Sequence, residues 1–233
     1  DYSEAGATVV FSTEDVYKAS MILKVEPPTL QEIDMMQQGQ LLISALQLPI
    51  QPKNFIKKLM AKKITAIAFD YIKDTEGLLP IVSAMSEIAG NAAILIAAEY
   101  LSNVRKGQGQ LFGGISGVSP TEVVILGAGT VGEFAARSAL GLGAAVKVFD
   151  NNTNKLRRLQ ALLGQRVATS IIQPKVLEKA LKTADVVVGA ISSSVGRAPI
   201  VVTEDMVSKM KDFSVIVDVS IDKGGCIETS EVT

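Results

Sequence analysis

Three glycines at fixed spacing carry the clearest chemistry in this sequence. Val123-Val-Ile-Leu-Gly127-Ala-Gly129-Thr-Val-Gly132 joins an apolar run to a helical pattern, Val131 to Leu140. A second apolar run, Ala145–Phe149, ends on Asp150, 18 residues beyond Gly132. This is close to the ~20 residues that separate a glycine turn from the ribose-binding acid of a dinucleotide site. Gly127 permits a sharp exit from the strand, Gly129 lets a diphosphate approach the backbone, and Gly132 lets helix and strand pack closely. The amides of Thr130 and Val131 open a helix whose dipole favours negative charge. Asp150 can accept hydrogen bonds from both adenosine ribose hydroxyls, which favours NAD. Lys155 and Arg157, close behind, keep NADP as the less favoured choice.

Two later runs bear on the same site, because ligands of an open parallel sheet sit beyond the carboxyl ends of its strands. Val186-Val-Val-Gly-Ala190-Ile191 leads into Ser192-Ser-Ser194, and Val215-Ile-Val-Asp218-Val-Ser220 leads into Ile221-Asp222-Lys-Gly-Gly225. Ala190, Ser192 and Asp222 are therefore expected near the nicotinamide end of a bound dinucleotide. Plain turn chemistry accounts for the serines and for Asp222 as well. Asp218, inside an apolar run, reads as a structural acid satisfied by backbone donors.

Composition removes several other chemistries. The 233 residues contain no histidine and one cysteine, Cys226. A Ser-His-Asp triad, a Cys-His dyad, a histidine-based zinc site and an internal disulfide are excluded within the chain, and no metal site is expected. A lone cysteine makes cytoplasm the default compartment. The net charge of −1 gives no electrostatic reason for a nucleic acid or anionic membrane partner. The apolar run Ala92–Ala98 is far shorter than the ~20 residues of a spanning helix, so it reads as part of a buried helix and no membrane insertion is expected.

The elements that would position these residues alternate along the chain. Strands are expected at Thr8–Phe11, Met21–Glu26, Leu41–Leu46, Ala66–Tyr71, Val123–Gly127, Ala145–Asp150, Val167–Ile171, Val186–Ile191 and Val215–Ser220. Several are continuous Val/Ile/Leu runs, as in parallel strands buried on both faces. Ser12-Thr-Glu-Asp15 and Thr29-Leu-Gln-Glu32 are capping-box patterns. The fold class is α/β, with two Rossmann-like, doubly wound parallel-sheet domains, the first truncated. Residues 1–80 form a partial substrate-side domain. Residues 81–233 form a dinucleotide-binding domain that begins with a long helix, Ile81 to Lys106. The stretch from Gly107 to Gly117 suits either a flexible linker or a structured hairpin arm, since Leu111, Phe112 and Ile115 are apolar. The chain opens on Asp1 and stops soon after a strand-like run, so both ends read as cuts through a longer protein.

With these residues in view, the sequence resembles the alanine dehydrogenases and the N-terminal part of the transhydrogenase alpha subunit over nearly its whole length. The marks are Asp1-Tyr-Ser-Glu-Ala-Gly-Ala7, Leu23-Lys-Val25, Ala84-Met-Ser-Glu-Ile-Ala-Gly90, Gly113-Gly-Ile-Ser-Gly117, the glycine motif, and Val217-Asp-Val-Ser-Ile-Asp-Lys-Gly-Gly-Cys-Ile-Glu228. The resemblance implies two domains facing across a cleft, NAD on the second, and a homo-oligomer. It implies cofactor contacts from Ser86, the glycine motif, Asp150 and Lys155, with Asp222 near nicotinamide and substrate. Two positions depart from the family. Its substrate-holding lysine is replaced by Glu26, and its acid/base histidine by Gln47. Glutamine exchanges no proton at neutral pH, and glutamate repels a substrate carboxylate. Three functions follow: an NAD(H)-dependent oxidoreductase of this family with a changed or unknown small-molecule substrate, an NAD(H)-binding homologue without amino-acid dehydrogenase activity, or a transhydrogenase-type hydride donor. For the first, Asp222, Gln47 and Glu26 are the candidate catalytic groups.

Overall fold

The computed structural model describes residues 1–192 and 197–232, which divide into two compact units, Asp1–Val82 and Ser83–Thr233. In the first, helix α1 (Thr13–Val16) precedes strand β1 (Met21–Lys24), α2 (Leu30–Met35), β2 (Leu41–Ser44), α3 (Lys53–Ala61) and β3 (Thr65–Ala68). The strands form a parallel sheet in chain order, with Met21 opposite Leu41 and Leu41 opposite Thr65. Ile22 and Leu42 are register partners and share one sheet face, where they are buried with Ile33 of α2 and Phe55 and Leu59 of α3. The capping box is present at α2: Thr29 accepts from the Glu32 amide, and Glu32 accepts from that of Thr29. At α1 only half of it forms, Ser12 accepting from the Asp15 amide.

The expected strand at Thr8–Phe11 is absent. Its apolar side chains face solvent, Phe11 being 99% exposed. The segment takes part in no ladder among the described residues. An apolar run becomes a strand only where a neighbour accepts its backbone bonds, and this one has no such neighbour.

In the second unit, α4 (Pro80–Leu101, its first turn still in the first unit) leads to β4 (Glu122–Leu126), α5 (Thr130–Gly141), β5 (Ala145–Phe149), α6 (Thr153–Leu163), β6 (Ala168–Ser170), α7 (Pro174–Leu181), β7 (Val186–Gly189), α8 (Glu204–Val207) and β8 (Val215–Asp218). All strand pairs are parallel, in the order β6-β5-β4-β7-β8. The order reverses at β4, which makes the sheet doubly wound. Alternate residues face opposite layers. Val123, Ile125, Val146, Val148, Val186 and Val188 pack under α4, α5 and α6, whereas Val124, Leu126, Phe149 and Val187 pack on α7 with Val202, Cys226 and Ile227. Burial on both faces explains why these strands lack polar alternation.

Several expected boundaries move. The first long helix ends at Leu101, because Lys106 turns left-handed (φ 61°) and the chain folds back, Gly109 and Gln110 donating to the Leu101 carbonyl. It is long and apolar enough to cross a membrane on length and composition, longer than the run Ala92–Ala98 suggests. One face, with Gly90, Ala93, Ile94 and Ala97, is buried in this unit's core, while Ile88, Leu95 and Ile96 are exposed. The stretch from Gly107 to Gly117 is structured. Phe112 is buried, the Thr121 hydroxyl accepts from the Gly113 amide, and Ile115 and Val118 pair across a two-residue turn that needs the positive φ of Gly117.

Candidate functional site

The glycine motif forms the corner between β4 and α5. Gly127 leaves the strand at φ 111°, a conformation that favours glycine. A Cβ there would lie 2.3 Å from the Ala190 carbonyl oxygen, and one on Gly132 would lie 1.9 Å from that of Gly127. Both glycines are demanded by backbone packing. Gly129 differs: a Cβ on it would meet nothing within 4 Å. Its bareness leaves open the space in front of the helix. The first i to i−4 bond of α5 runs from Glu133 to Gly129 at 2.9 Å, so the amides of Thr130, Val131 and Gly132 precede the helical ladder. Amides ahead of the helical ladder, a helix N-terminus and open space in front of a bare Cα fit a diphosphate.

Asp150 stands at the end of β5, beside this corner. One of its carboxylate oxygens accepts from the Ala128 amide at 2.8 Å and the other from the Asn152 amide at 2.7 Å. Each oxygen keeps a lone pair for a hydroxyl. Gly127, Gly129, Asp150, Lys155, Ala190 and Ser192 line one cleft of about 100 Å³ at the carboxyl ends of β4, β5 and β7. Asn151, Ile172, Ile191, Pro199 and Val201 complete its wall. Sequence reasoning missed these five, and the only local signal was the adjacency of Asn151 to Asp150. The Asn151 side chain accepts from the Ile172 amide at 3.1 Å, tying the ends of β5 and β6 together.

Ser86 lies on α4, one turn before Gly90. A Cβ on Gly90 would come within 2.5 Å of the Val131 carbonyl oxygen, so α4 touches the first turn of α5 at that glycine. Positions four apart share a helix face, which puts Ser86 on the same face as Gly90. Glu133, buried in the first turns of α5, is neutralised by Arg137 at 2.9 Å, so it adds little negative charge to the helix entrance.

Asp222 is exposed on a 3-10 turn, Val219–Lys223, after β8. That turn is anchored by Asp218, whose oxygens accept from the amides of Ser220, Cys226 and Ile227 at 3.0, 2.9 and 3.1 Å. The structural reading of Asp218 holds. Burial, with the Asp218 charge added, pushes the Cys226 thiol up to about 12. Ser193 and Ser194 lie outside the described residues.

Glu26 and Gln47 belong to the first unit, at the carboxyl ends of β1 and β2. The Ser44 hydroxyl donates to the Glu26 carbonyl at 2.7 Å, holding the two ends side by side. Lys24, the nearby cation, is committed to Glu32 at 2.7 Å. Among the described residues no cluster of His, Cys, Asp and Glu is arranged to hold a metal ion.

Known proteins place this geometry. The alanine dehydrogenase of Methanococcus maripaludis is 42% identical over 98% of this chain and 61% of its own length. That of Mycolicibacterium smegmatis is 42% identical over 100% and 63%. A solved L-alanine dehydrogenase superposes with a TM-score of 0.87 at 41% identity, covering 100% of this chain and 64% of that one. A transhydrogenase from Sinorhizobium meliloti gives 0.80 at 28% identity, over 99% and 67%. The chain thus spans less than two thirds of the length of these alanine dehydrogenases. Residues 1–89 match the alanine dehydrogenase/PNT N-terminal domain and residues 93–233 the C-terminal domain, so the chain belongs to the alanine dehydrogenase/PNT family.

Proposed function

We propose that this protein binds NAD(H) at the β4–α5 corner and transfers a hydride between nicotinamide and a small substrate other than alanine. The nicotinamide supplies the redox chemistry, and the protein binds and orients it. The observation that carries the reading is the cleft that Gly127, Gly129 and Asp150 line together, with the Asp150 carboxylate bonded to the Ala128 amide of the same corner. Asp150 opposes a 2′-phosphate, so NAD is preferred to NADP. Ser86, Thr130, Val131 and Lys155 are assigned to the cofactor with the glycines, Ala190 and Ser192. Asp222 is assigned to its nicotinamide end. Residues 1–80 serve the substrate and residues 81–233 the dinucleotide. The exposed apolar tip formed by Leu111, Ile115 and Val118 supports a homo-oligomer.

The change of substrate rests on Glu26, which offers no cation to a substrate carboxylate, and on Gln47, whose amide exchanges no proton. The same two residues favour, as the second reading, a transhydrogenase-type donor or an NAD(H) binder without turnover, neither of which handles an amino acid. NADH fluorescence titration tests the cofactor, and saturable binding is expected. Pyruvate with ammonia should then give no turnover, whereas Glu26→Lys with Gln47→His together should gain measurable pyruvate reduction in the full-length protein. Brisk turnover by the unmodified protein would refute the altered substrate. Stimulation of hydride transfer by an NADP-binding partner would select the transhydrogenase reading.

A further inference from the structure

We infer that Asp70 is a positioning residue that fixes the direction of the Gln47 side chain. The inference rests on the reading of Gln47 as a substrate-facing group. Gln47 follows β2 with its backbone in the left-handed region, φ 46° and ψ 42°. Glycine and asparagine visit that region readily, and glutamine does so at a cost. Nothing local explains it. The Gln47 side chain caps no helix and makes no hydrogen bond among the described residues. Its carbonyl accepts from the Ile50 amide at 3.1 Å, opening the 3-10 turn Leu48–Ile50 that leads away.

The conformation is held from the neighbouring strand. Asp70 lies in the 3-10 turn Phe69–Tyr71 that follows β3. One of its oxygens accepts from the Leu46 amide at 3.2 Å and the other from the Gln47 amide at 3.3 Å. Leu46 is buried in the core of this unit, so the clamp is referred to a fixed point. A non-glycine residue kept in a costly backbone region by a dedicated carboxylate is the kind of strain that functional positions retain. Both Asp70 oxygens hold main-chain amides of the segment that carries Gln47, so the carboxylate acts on substrate through its neighbour.

The chain contains no histidine, so Gln47→His introduces one imidazole whose ring resonances are unambiguous. In that variant the ring should give one sharp, dispersed proton signal. Adding Asp70→Ala should move the signal to the position of free histidine and speed amide exchange at Leu46 and Gln47 by about tenfold or more. Adding Asp70→Glu in its place should restore the dispersion. If Asp70→Ala fails to fold, the isosteric Asp70→Asn serves, and one of the two amides should exchange faster. An undispersed ring with Asp70 intact, or a ring signal that Asp70→Ala leaves unmoved whatever the change in Tm, would overturn the inference. Loss of NADH binding would instead count against the cofactor reading, so the two fail separately.

Discussion

The carboxylate of Asp150 reaches across the glycine corner to the amide of Ala128, accepting its hydrogen bond at 2.8 Å. The acid expected to hold a ribose thus also fixes the loop expected to hold the diphosphate. Asp150→Ala should therefore weaken both, raising the NADH Kd by roughly 10- to 100-fold, as expected for a lost charged hydrogen bond. Asp150→Asn should weaken binding less if its carbonyl oxygen keeps the Ala128 contact. Isothermal titration of the three proteins with NADH checks the order.

Gly129 and Gly132 separate ligand from packing. Gly129→Ala meets open space and a φ of −81°, so it should leave Tm within a degree or two while NADH affinity falls. Gly132→Ala drives a Cβ to 1.9 Å from the Gly127 carbonyl oxygen. Overpacking of this kind costs roughly 1–3 kcal/mol or more, and Tm should fall by several degrees. Thermal melts of both variants without ligand decide the matter; equal losses of Tm would contradict the assignment.

Glu32 sets a pH dependence in the first unit. Burial pushes its carboxyl up, but Lys24 and the Thr29 cap outweigh that and hold it below its ordinary value. A depressed folded-state pKa contributes stability that is present above the ordinary glutamate range and is lost as pH falls through the lowered value. Urea midpoints should therefore drop on acidification below that range, and Glu32→Gln should remove this component. Tyr17, pushed up to about 12 by burial and the Glu32 charge, stays neutral throughout that titration.

The single thiol offers an inexpensive check on the second unit. Cys226 is fully buried, and its high pKa leaves little thiolate at pH 8. A disulfide reagent such as Ellman's should find almost no reactive thiol in the native chain and one per chain in denaturant. Rapid labelling of the native protein would mean that the segment pinned by Asp218 opens readily.

The glycine corner was legible because its demands are local. Gly127, Gly129, Gly132 and Asp150 announce themselves by spacing, and the Val/Ile runs of β4, β7 and β8 by composition. What stayed hidden depends on contacts between distant segments. The abutment of Gly90 on Val131 and the clamp of Asp70 on Leu46 and Gln47 leave no periodic trace. Thr8–Phe11 misled for the same reason, since apolar composition says nothing about whether a pairing partner is at hand. Strand ends ran short where the backbone turns into 3-10 geometry, at Phe69–Tyr71 and Val219–Lys223.

The Asp218 anchor has one more consequence. By stapling the segment that carries Asp222 to the tip of β8, it makes the sheet itself a gauge. β4, β7 and β8 are adjacent, so the glycine corner and the Asp222 turn start two strand spacings apart, roughly 10 Å. Lattice-like hydrogen bonding between strands, and no loop relaxation, would then set how far along a bound dinucleotide that carboxylate can act.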